Sequence, residues 1–344
     1  MVQTDLLHRR GKSGTPRAED RCERVGAPVK SGKSDGSWID TARCGSCRLD
    51  FRAVKIGVIL PAAQVEEHGG TPDWSMVRSF ALSAEGHGLD SVWMFDHFFD
   101  RSRPWSQGMH EAWTIVSAVA AVTQRVEIGT LVLCSSFRTP GLVAKMAVTA
   151  DHVSRGRLIL GLGAGWHDEE YRTFGYPIDH RVDRFEEALQ IVGSLLRGGS
   201  VSFEGRYHQV HDAKLVPGPR RRIPLLVAAD GPRMLHLTAR YADAWNTAWY
   251  GAPDGELRRS MEAFTGALEA EGRDPASVTR TVGMNVRDAD LVGSDDEREF
   301  AGSVDELART IDAYETFGVK HLIIQLLPHD EASLDRLADA IQRR

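Results

Sequence analysis

The sequence predicts a TIM (β/α)8 barrel, an α/β fold, and three observations support this prediction. From Val54 onward, eight short apolar runs alternate with segments of helical periodicity, as expected for parallel strands joined by crossover helices. Most of these runs are continuously apolar, which is typical of strands buried on both faces. Residues 53–344 contain all eight runs, a length close to the roughly 250 residues of a typical barrel of this type.

Each predicted strand is bounded by glycine, proline or polar residues. The eight runs lie at 54–60, 91–95, 126–133, 157–162, 223–229, 243–248, 278–286 and 319–327. The longer connection at 200–222, between the fourth and fifth strands, predicts a small β-hairpin that turns at Glu204-Gly205. We expect that hairpin to lie outside the barrel.

The intervening helices are predicted from caps and apolar stripes. Thr71 and Pro72 supply an N-cap and a first-turn proline, and the expected buried stripe is Trp74, Val77, Phe80, Ala81 and Ala84. Ser303 and Glu306 have the spacing of a capping box. Pro232, directly after Gly231, predicts the start of another helix.

Residues 1–52 form a segment of different composition, which separates a leader from the barrel at 53–344. The net charge is +3 over residues 1–50 and −9 over residues 51–344. The leader is rich in Gly, Ser, Lys and Arg and shows no periodicity, so it predicts disorder. Its CxxC pair, Cys44 and Cys47, has Cys22 as its one near neighbour, which is half a zinc site at most. We therefore predict no metal there.

Composition also narrows the class of partner. The whole chain carries a formal net charge of −6, which argues against nucleic acid or an anionic membrane surface as the main partner. No apolar run approaches the roughly 18 residues that a membrane span needs, and no apolar segment of a signal peptide follows the start. We expect a cytoplasmic enzyme that acts on small molecules.

Candidate site residues follow the predicted strands, because active sites of this fold form at the carboxyl ends of the strands. Asp96 and His97 follow the second strand, Cys134 the third and Trp166 the fourth. His97 could donate a hydrogen bond or move a proton. Gly161, Gly163 and Gly165 do not match a Rossmann fingerprint, but they allow a ligand close to the backbone. Glu169 and Glu170 are interpreted as charges at a helix start.

A second glycine turn predicts an anion site. The segment Asp230-Gly231-Pro232 opens a predicted helix, and a helix start after a glycine can bind phosphate; a simple tight turn is the alternative. Together the two turns could hold a phosphate-bearing cofactor. The sequence contains no HExxH or GxSxG motif, which disfavours the corresponding hydrolases.

These motifs together resemble the luciferase-like monooxygenase family, in particular its deazaflavin (coenzyme F420)-dependent oxidoreductases. The resemblance extends from Lys55 to about Pro328. It is carried by SVWMFDHFF at 91–99, EAWT at 111–114, RVEIGTLVL at 125–133, the segment from FRTPG to YRTFG at 137–175, and PLLVAADGPRMLHLTARYADAWN at 224–246. It implies a TIM barrel, usually dimeric, with a flavin-like ring at the strand mouths.

The resemblance also implies roles for individual positions. Asp96 and His97 match an acidic/His pair near the ring. Both are implied as catalytic residues, with His97 as the candidate proton donor, and Asp96 is also an implied contact of the cofactor. Leu131-Val132 matches a position at which relatives often have a cis peptide bond behind the ring, and Cys134 is a neighbour of the ring. The remaining cofactor-binding positions implied are Gly163, Ala164, Gly165, Trp166, Ala228, Ala229, Asp230, Gly231 and Pro232. Phe98, Phe99, Trp105, Trp249 and Tyr250 would form an aromatic substrate pocket.

Three functions remain open at this point. The first is an F420-dependent oxidoreductase that moves hydride to or from a small organic substrate. The second is an FMN-dependent monooxygenase that uses O2 and receives reduced flavin from a partner reductase. The third is a non-catalytic flavin- or deazaflavin-binding protein. Trp166 stands where sugar-phosphate dehydrogenases of the family carry an acidic residue, so we do not expect that activity.

Overall fold

The computed structural model describes residues 54–61, 70–99, 108–288 and 296–344. All of them belong to one compact unit, Phe51–Arg344. The predicted disorder of the leader, its CxxC pair and Trp105 lie outside the described residues. No helix within the described ranges is both long and apolar enough to cross a membrane.

Eight parallel strands close into a barrel. In chain order, the strands of the described residues are β1 (Lys55–Ile59), β2 (Ser91–Met94), β3 (Glu127–Thr130), β4 (Leu133–Cys134), β5 (Leu158–Gly163), β6 (Val201–Glu204), β7 (Gln209–Ala213), β8 (Leu225–Ala228), β9 (Ala244–Tyr250), β10 (Thr279–Arg287), β11 (Glu299–Ala301) and β12 (His321–Leu327). The barrel order is β1, β2, β3, β5, β8, β9, β10 and β12, and β12 pairs with β1. The predicted fold is thereby confirmed, and each of the eight predicted runs overlaps a barrel strand.

Helices cover the outside of the barrel. They are α1 (Trp74–Gly86), α2 (Ala112–Val122), α3 (Pro140–Val153), α4 (Asp168–Phe174), α5 (Arg181–Leu196), α6 (Pro232–Tyr241), α7 (Gly255–Ala270), α8 (Val304–Thr316) and α9 (Glu331–Gln342). Ser303 and Glu306 form the predicted capping box at α8. Pro232 is the first residue of α6, as predicted, and Gly231 is its N-cap.

The predicted start of α1 was wrong by two residues. Asp73 is the N-cap, since its carboxylate accepts a hydrogen bond from the backbone N–H of Met76, and Pro72 precedes the cap. Trp74 is 37% exposed at the first position of the helix, so the buried stripe begins at Val77. An aspartate carboxylate caps a helix at least as well as a threonine hydroxyl, and the later of the two candidates marks the boundary here.

The third predicted strand is interrupted rather than continuous over 126–133. β3 ends at Thr130, the Leu131-Val132 peptide bond is cis, and the chain resumes as β4, which pairs with β5. The cis bond lies where the family resemblance implied one. The predicted outlying hairpin is confirmed, because β6 and β7 form a separate antiparallel pair in which Glu204 faces Gln209.

A buried apolar cluster fills the barrel below its carboxyl end. It consists of one residue from each of several strands together with Leu131, and is formed by Ile59, Trp93, Leu131, Ile159, Leu226, Ala244 and Ile323. Phe95, Val132 and Trp249 pack against it and are partly exposed. The cluster therefore closes the barrel and supplies the floor on which a ligand at the strand mouths would rest.

Candidate active site

A cavity of about 610 Å3 opens at the carboxyl ends of the barrel strands. Its volume suits a cofactor or a drug-sized ligand. Every predicted site residue except Pro232 lines it, namely Asp96, His97, Leu131, Val132, Cys134, Gly163, Ala164, Gly165, Trp166, Ala228, Ala229, Asp230 and Gly231. The structure thus brings together residues that lie more than 130 positions apart in the sequence.

His97 is oriented by the buried carboxylate of Glu170, which lies in the first turn of α4 as predicted. Nδ1 of His97 lies 3.0 Å from Oε2 of Glu170, on α4. The backbone N–H of Phe98 donates to the other oxygen of Glu170 at 2.5 Å. The Glu170 side chain is only 1% exposed and that of His97 26% exposed. The carboxylate therefore holds the Nδ1 side of the imidazole. Among the described residues, Nε2 of His97 has no hydrogen-bond partner.

The contacts of Glu170 keep it ionised. Burial by itself would raise the pKa of Glu170, but the hydrogen bond and charge of His97, the N–H of Phe98 and the charge of His167 together lower it. An ionised Glu170 favours the tautomer of His97 that carries its proton on Nδ1 and leaves Nε2 as an acceptor. Such a histidine can take up and release a proton at Nε2.

His167 lies beside this pair. Its Nδ1 is 3.4 Å from Oε2 of Glu170 and makes no hydrogen bond within the described part of the chain. The ring stacks on Trp166, with ring centroids 5.2 Å apart, and lies edge-on to Phe99 at 5.2 Å. Both aromatic neighbours line the cavity with it. The aromatic contacts fix the His167 ring next to the Glu170 carboxylate.

Asp96 takes part in a separate polar contact. Its carboxylate accepts two hydrogen bonds from the Arg138 guanidinium, at 2.8 and 3.0 Å, and one from the backbone N–H of Cys134 at 2.8 Å. Arg138 also contacts Glu111. Burial raises the pKa of Asp96, and these N–H donors oppose the shift. The arrangement ties the end of β2 to β4, directly after the cis peptide bond.

A second hydrogen-bonded group supports the glycine turn after β5. The Tyr171 hydroxyl donates to the carbonyl oxygen of Ala164 at 2.9 Å and lies 3.1 Å from Sγ of Cys134. Burial raises the pKa of the Cys134 thiol to about 11, so it is protonated at neutral pH. Gly165 has φ +79°, and a Cβ there would lie 1.9 Å from the Tyr171 hydroxyl oxygen. Only glycine fits this position without a shift of its neighbours.

The turn after β8 presents the start of α6 to the cavity. Gly231 is the N-cap and provides no side-chain cap for the first-turn N–H groups. A Cβ added at Gly231 would meet no atom within 4 Å. Asp230 accepts a hydrogen bond from the Thr247 hydroxyl at 3.1 Å. An uncapped helix start beside open space is a site at which an anionic group can bind.

The expected aromatic pocket is present in part. Phe99 and Trp249 line the cavity, and Phe95 meets Trp249 edge-on with ring centroids 5.7 Å apart. Phe98 instead packs on Phe137, at 4.6 Å between centroids. Tyr250 is buried, and its hydroxyl lies 3.2 Å from that of Thr247. The aromatic surface available to a ligand is therefore smaller than the sequence suggested.

Several polar residues of the site were not predicted from the sequence. Glu170 and His167 were not assigned to it, and Arg138 was not identified as the partner of Asp96. One signal was available: Glu170 stands five residues after Gly165, and a carboxylate shortly after a glycine-rich strand mouth can face the cavity as readily as solvent. Gln325 on β12 also lines the cavity and was not predicted.

Comparison with known proteins agrees with this architecture. The model of the family described as luciferase-like monooxygenase matches residues 54–297. An F420-dependent glucose-6-phosphate dehydrogenase from Amycolatopsis mediterranei is 33% identical over 210 residues, 59% of this chain and 62% of that protein. A phthiodiolone/phenolphthiodiolone dimycocerosates ketoreductase from Mycobacterium tuberculosis is 34% identical over 233 residues, 62% of this chain and 61% of that protein.

These matches have defined limits. The chain matches about 62% of the length of the first of these curated relatives. Among solved structures, an F420-dependent secondary alcohol dehydrogenase in complex with an F420-acetone adduct superposes with a TM-score of 0.72 at 22% identity, covering 84% of this chain and 98% of that one. At that identity the superposition shows a common fold.

Proposed function

We propose that this chain, which belongs to the luciferase-like monooxygenase family, is an F420-dependent oxidoreductase. It would transfer hydride between the deazaflavin and a small organic substrate. The observation that carries the proposal is the His97–Glu170 pair at the wall of a cavity closed below by apolar side chains. The F420-dependent glucose-6-phosphate dehydrogenase among the relatives supports the choice of cofactor.

Two features of the cavity fit such a cofactor: its apolar floor and the start of α6. Its floor is apolar and includes the Leu131-Val132 cis peptide, which suits the face of a fused ring. The uncapped start of α6 at Gly231 has open space beside it, which suits a phosphate of the cofactor side chain. We propose that Gly163, Ala164, Gly165 and Trp166 flank that side chain, with Ala228, Ala229, Asp230, Gly231 and Pro232 around the phosphate.

The chain's own contribution to the reaction would be proton transfer and orientation. When bound, the deazaflavin supplies or accepts the hydride. His97 would hold the proton that must reach or leave the substrate oxygen or carbon, exchanging it at Nε2 while Glu170 holds Nδ1. Because three N–H donors already engage the Asp96 carboxylate, we propose that Asp96 positions the Cys134 backbone rather than carrying a proton. Phe95 and Trp249 would exclude water from the ring face.

The choice of cofactor is tested by titrating the full chain with F420 and, separately, with FMN. Binding is followed by tryptophan fluorescence. Tight quenching by F420 with weak binding of FMN supports the proposal. Preference for FMN, together with oxygen consumption in the presence of a flavin reductase, would support the monooxygenase alternative instead. Binding of F420 without hydride transfer to any carbonyl, alcohol or activated alkene would indicate a binding protein.

Two substitutions test the assigned roles. Gly231→Val should abolish F420 binding while leaving the fold intact, because the new side chain enters open space and the backbone φ of −74° accommodates valine. Unchanged affinity would refute the phosphate turn. His97→Gln should retain F420 binding and lower kcat by about 10²- to 10⁴-fold, the usual contribution of general acid–base catalysis. Full turnover by that variant would remove the proton-transfer role.

Assembly and location are further proposals. We propose a cytoplasmic homodimer, as the family resemblance implies, that acts on a small molecule. A separate reductase would be required only under the FMN alternative. Light scattering coupled to size-exclusion chromatography measures the dimer directly, and a monomeric mass at micromolar concentration would refute it.

A further inference from the structure

We propose that His97, His167 and Glu170 form a binding site for a divalent transition-metal ion of the Zn2+ class in the wall of the active-site cavity. One ligand atom from each residue is available, and the three atoms all lie within 4.8 Å of one another. Two imidazoles and one carboxylate are a known catalytic zinc ligand set, which leaves a fourth coordination position for water or a ligand.

The separations fit a tetrahedral ion after small side-chain movements. Oε2 of Glu170 lies 3.0 Å from Nδ1 of His97 and 3.4 Å from Nδ1 of His167. Metal–ligand bonds of about 2.0 to 2.2 Å place the ligand atoms of a tetrahedral site roughly 3.3 to 3.5 Å apart. The three ligand atoms lie within 4.8 Å of one another, so an ion between them requires the imidazoles to rotate toward each other.

An unsatisfied nitrogen independently points to a ligand. Nδ1 of His167 is buried and has no hydrogen-bond partner in the described ranges, and the side chain is 9% exposed. Buried polar atoms are normally satisfied, so each exception needs a cause. A metal ion at this position would satisfy the nitrogen, which the 3.4 Å contact with Glu170 does not do.

The surrounding contacts decide which class of ion fits. Oε1 of Glu170 is held by the N–H of Phe98, so the carboxylate presents Oε2 as a single ligand atom. Stacking on Trp166 and the edge contact with Phe99 hold the His167 ring. Two imidazole nitrogens and one oxygen favour Zn2+, Co2+ or Ni2+ over Mg2+ and Ca2+, which prefer oxygen ligands.

Binding of the ion has a consequence for His97, which rests on the proposed function. Coordination uses the lone pair of Nδ1, so the ion replaces the Nδ1 proton and the hydrogen bond to Glu170. We therefore expect Zn2+ to inhibit proton transfer through His97, and hence turnover.

Cobalt provides the direct test, because tetrahedral Co2+ absorbs visible light with an intensity that octahedral Co2+ lacks. The protein used is the full chain with Cys22, Cys44 and Cys47 replaced by Ser, because these changes remove thiolate ligands from the leader. This protein is titrated with Co2+ and then with Zn2+. We expect one tetrahedral Co2+ per chain, displaced by Zn2+. His167→Gln and Glu170→Gln should each weaken binding at least tenfold.

The chain offers a matched control. His180 and Asp183 have the same i,i+3 spacing as His167 and Glu170, with Nδ1 and Oδ2 3.0 Å apart. Both side chains are well exposed, and no third ligand within the described residues completes the set. His180→Gln should leave Co2+ affinity unchanged. Absence of tetrahedral Co2+, or equal loss of affinity in His180→Gln and His167→Gln, would overturn the proposal.

The binding test is independent of the proposed function, since it uses no cofactor. Tight Co2+ binding with the expected variant pattern would support the site even if no deazaflavin reaction were found. Where turnover is measurable, Zn2+ should inhibit the wild type at least tenfold more potently than His167→Gln, with each compared with its own metal-free rate. Equal inhibition of both proteins would overturn the link between the ion and His97.

Discussion

Replacement of Arg138 by Met tests whether the Asp96–Arg138 contact holds the strand mouths together. Arg138 donates to both oxygens of Asp96, at 2.8 and 3.0 Å, and the two side chains are 10% and 2% exposed. Methionine retains most of the side-chain volume but donates no hydrogen bond. The Asp96 carboxylate would then be buried with the Cys134 N–H as its one remaining donor among the described residues.

The size of the effect follows from that burial. Removal of one partner from a buried ion pair costs about 3–5 kcal/mol of unfolding free energy, because it leaves an uncompensated charge. The contact between Arg138 and Glu111 adds little, since Glu111 is partly exposed and solvent screens the pair. At roughly 2–4 °C per kcal/mol for a domain of 150–250 residues, this cost corresponds to a fall in Tm of about 6–20 °C. Because this chain is longer, we expect a value in the lower part of that range.

Urea unfolding of the wild type, Arg138→Met, Asp96→Asn and the double variant measures the contact. The double variant should be more stable than the sum of the single changes predicts, because it contains no unpaired buried charge. Arg240→Met is the matched control: Arg240 also donates two hydrogen bonds to one carboxylate, Glu271, at 2.9 and 3.0 Å, but on the surface. A midpoint for Arg138→Met as close to wild type as that of Arg240→Met would refute the reasoning.

Two further predictions concern stability, both measured by urea unfolding. Gly165→Ala should lower the unfolding free energy by about 2–5 kcal/mol, because alanine is strained in the left-handed region and its Cβ overpacks against the Tyr171 hydroxyl. The control Gly266→Ala, which lies in open space within α7, should raise the unfolding free energy by up to about 1 kcal/mol. Equal urea midpoints for the two variants would refute the steric argument. Burial lowers the pKa of His321 from 6.5 to about 3, so below pH 6.5 the unfolded chain gains a proton that the folded chain does not. Stability should then fall by about 1.4 kcal/mol per pH unit, or about 2 kcal/mol by pH 5, and a His321→Gln variant with the same pH slope would contradict that assignment.

The strands could be predicted from the sequence because burial on both faces leaves a local signal. Val, Ile and Leu dominate runs such as 319–327, and β12 occupies His321–Leu327 within that run. Boundaries were less certain where two residues can serve the same purpose, as Thr71 and Asp73 can at the start of α1. The cis peptide bond at Leu131-Val132 leaves no compositional mark, and family resemblance alone indicated its position.

The polar contacts of the site could not be predicted in the same way, because their partners are distant in the chain. Glu170 and His97 are separated by 73 positions, and the sequence around Glu170 equally fits a solvent-exposed first helical turn. Arg138 and Asp96 are separated by 42 positions. Burial converts each of these side chains from a surface charge into a paired one, and burial is a property of the assembled barrel.

The consecutive residues Asp96 and His97 link two parts of the cavity wall, because their side chains contact different neighbours. Asp96 contacts Arg138 and the Cys134 N–H, and so fixes the break between β3 and β4. His97 contacts Glu170, and so fixes α4 after β5. One dipeptide at the end of β2 therefore sets the positions of the two neighbouring strand mouths. For the same reason, exchanging the two residues would place an imidazole against the Arg138 guanidinium and a carboxylate against Glu170, leaving like charges together at both contacts whenever the imidazole is protonated.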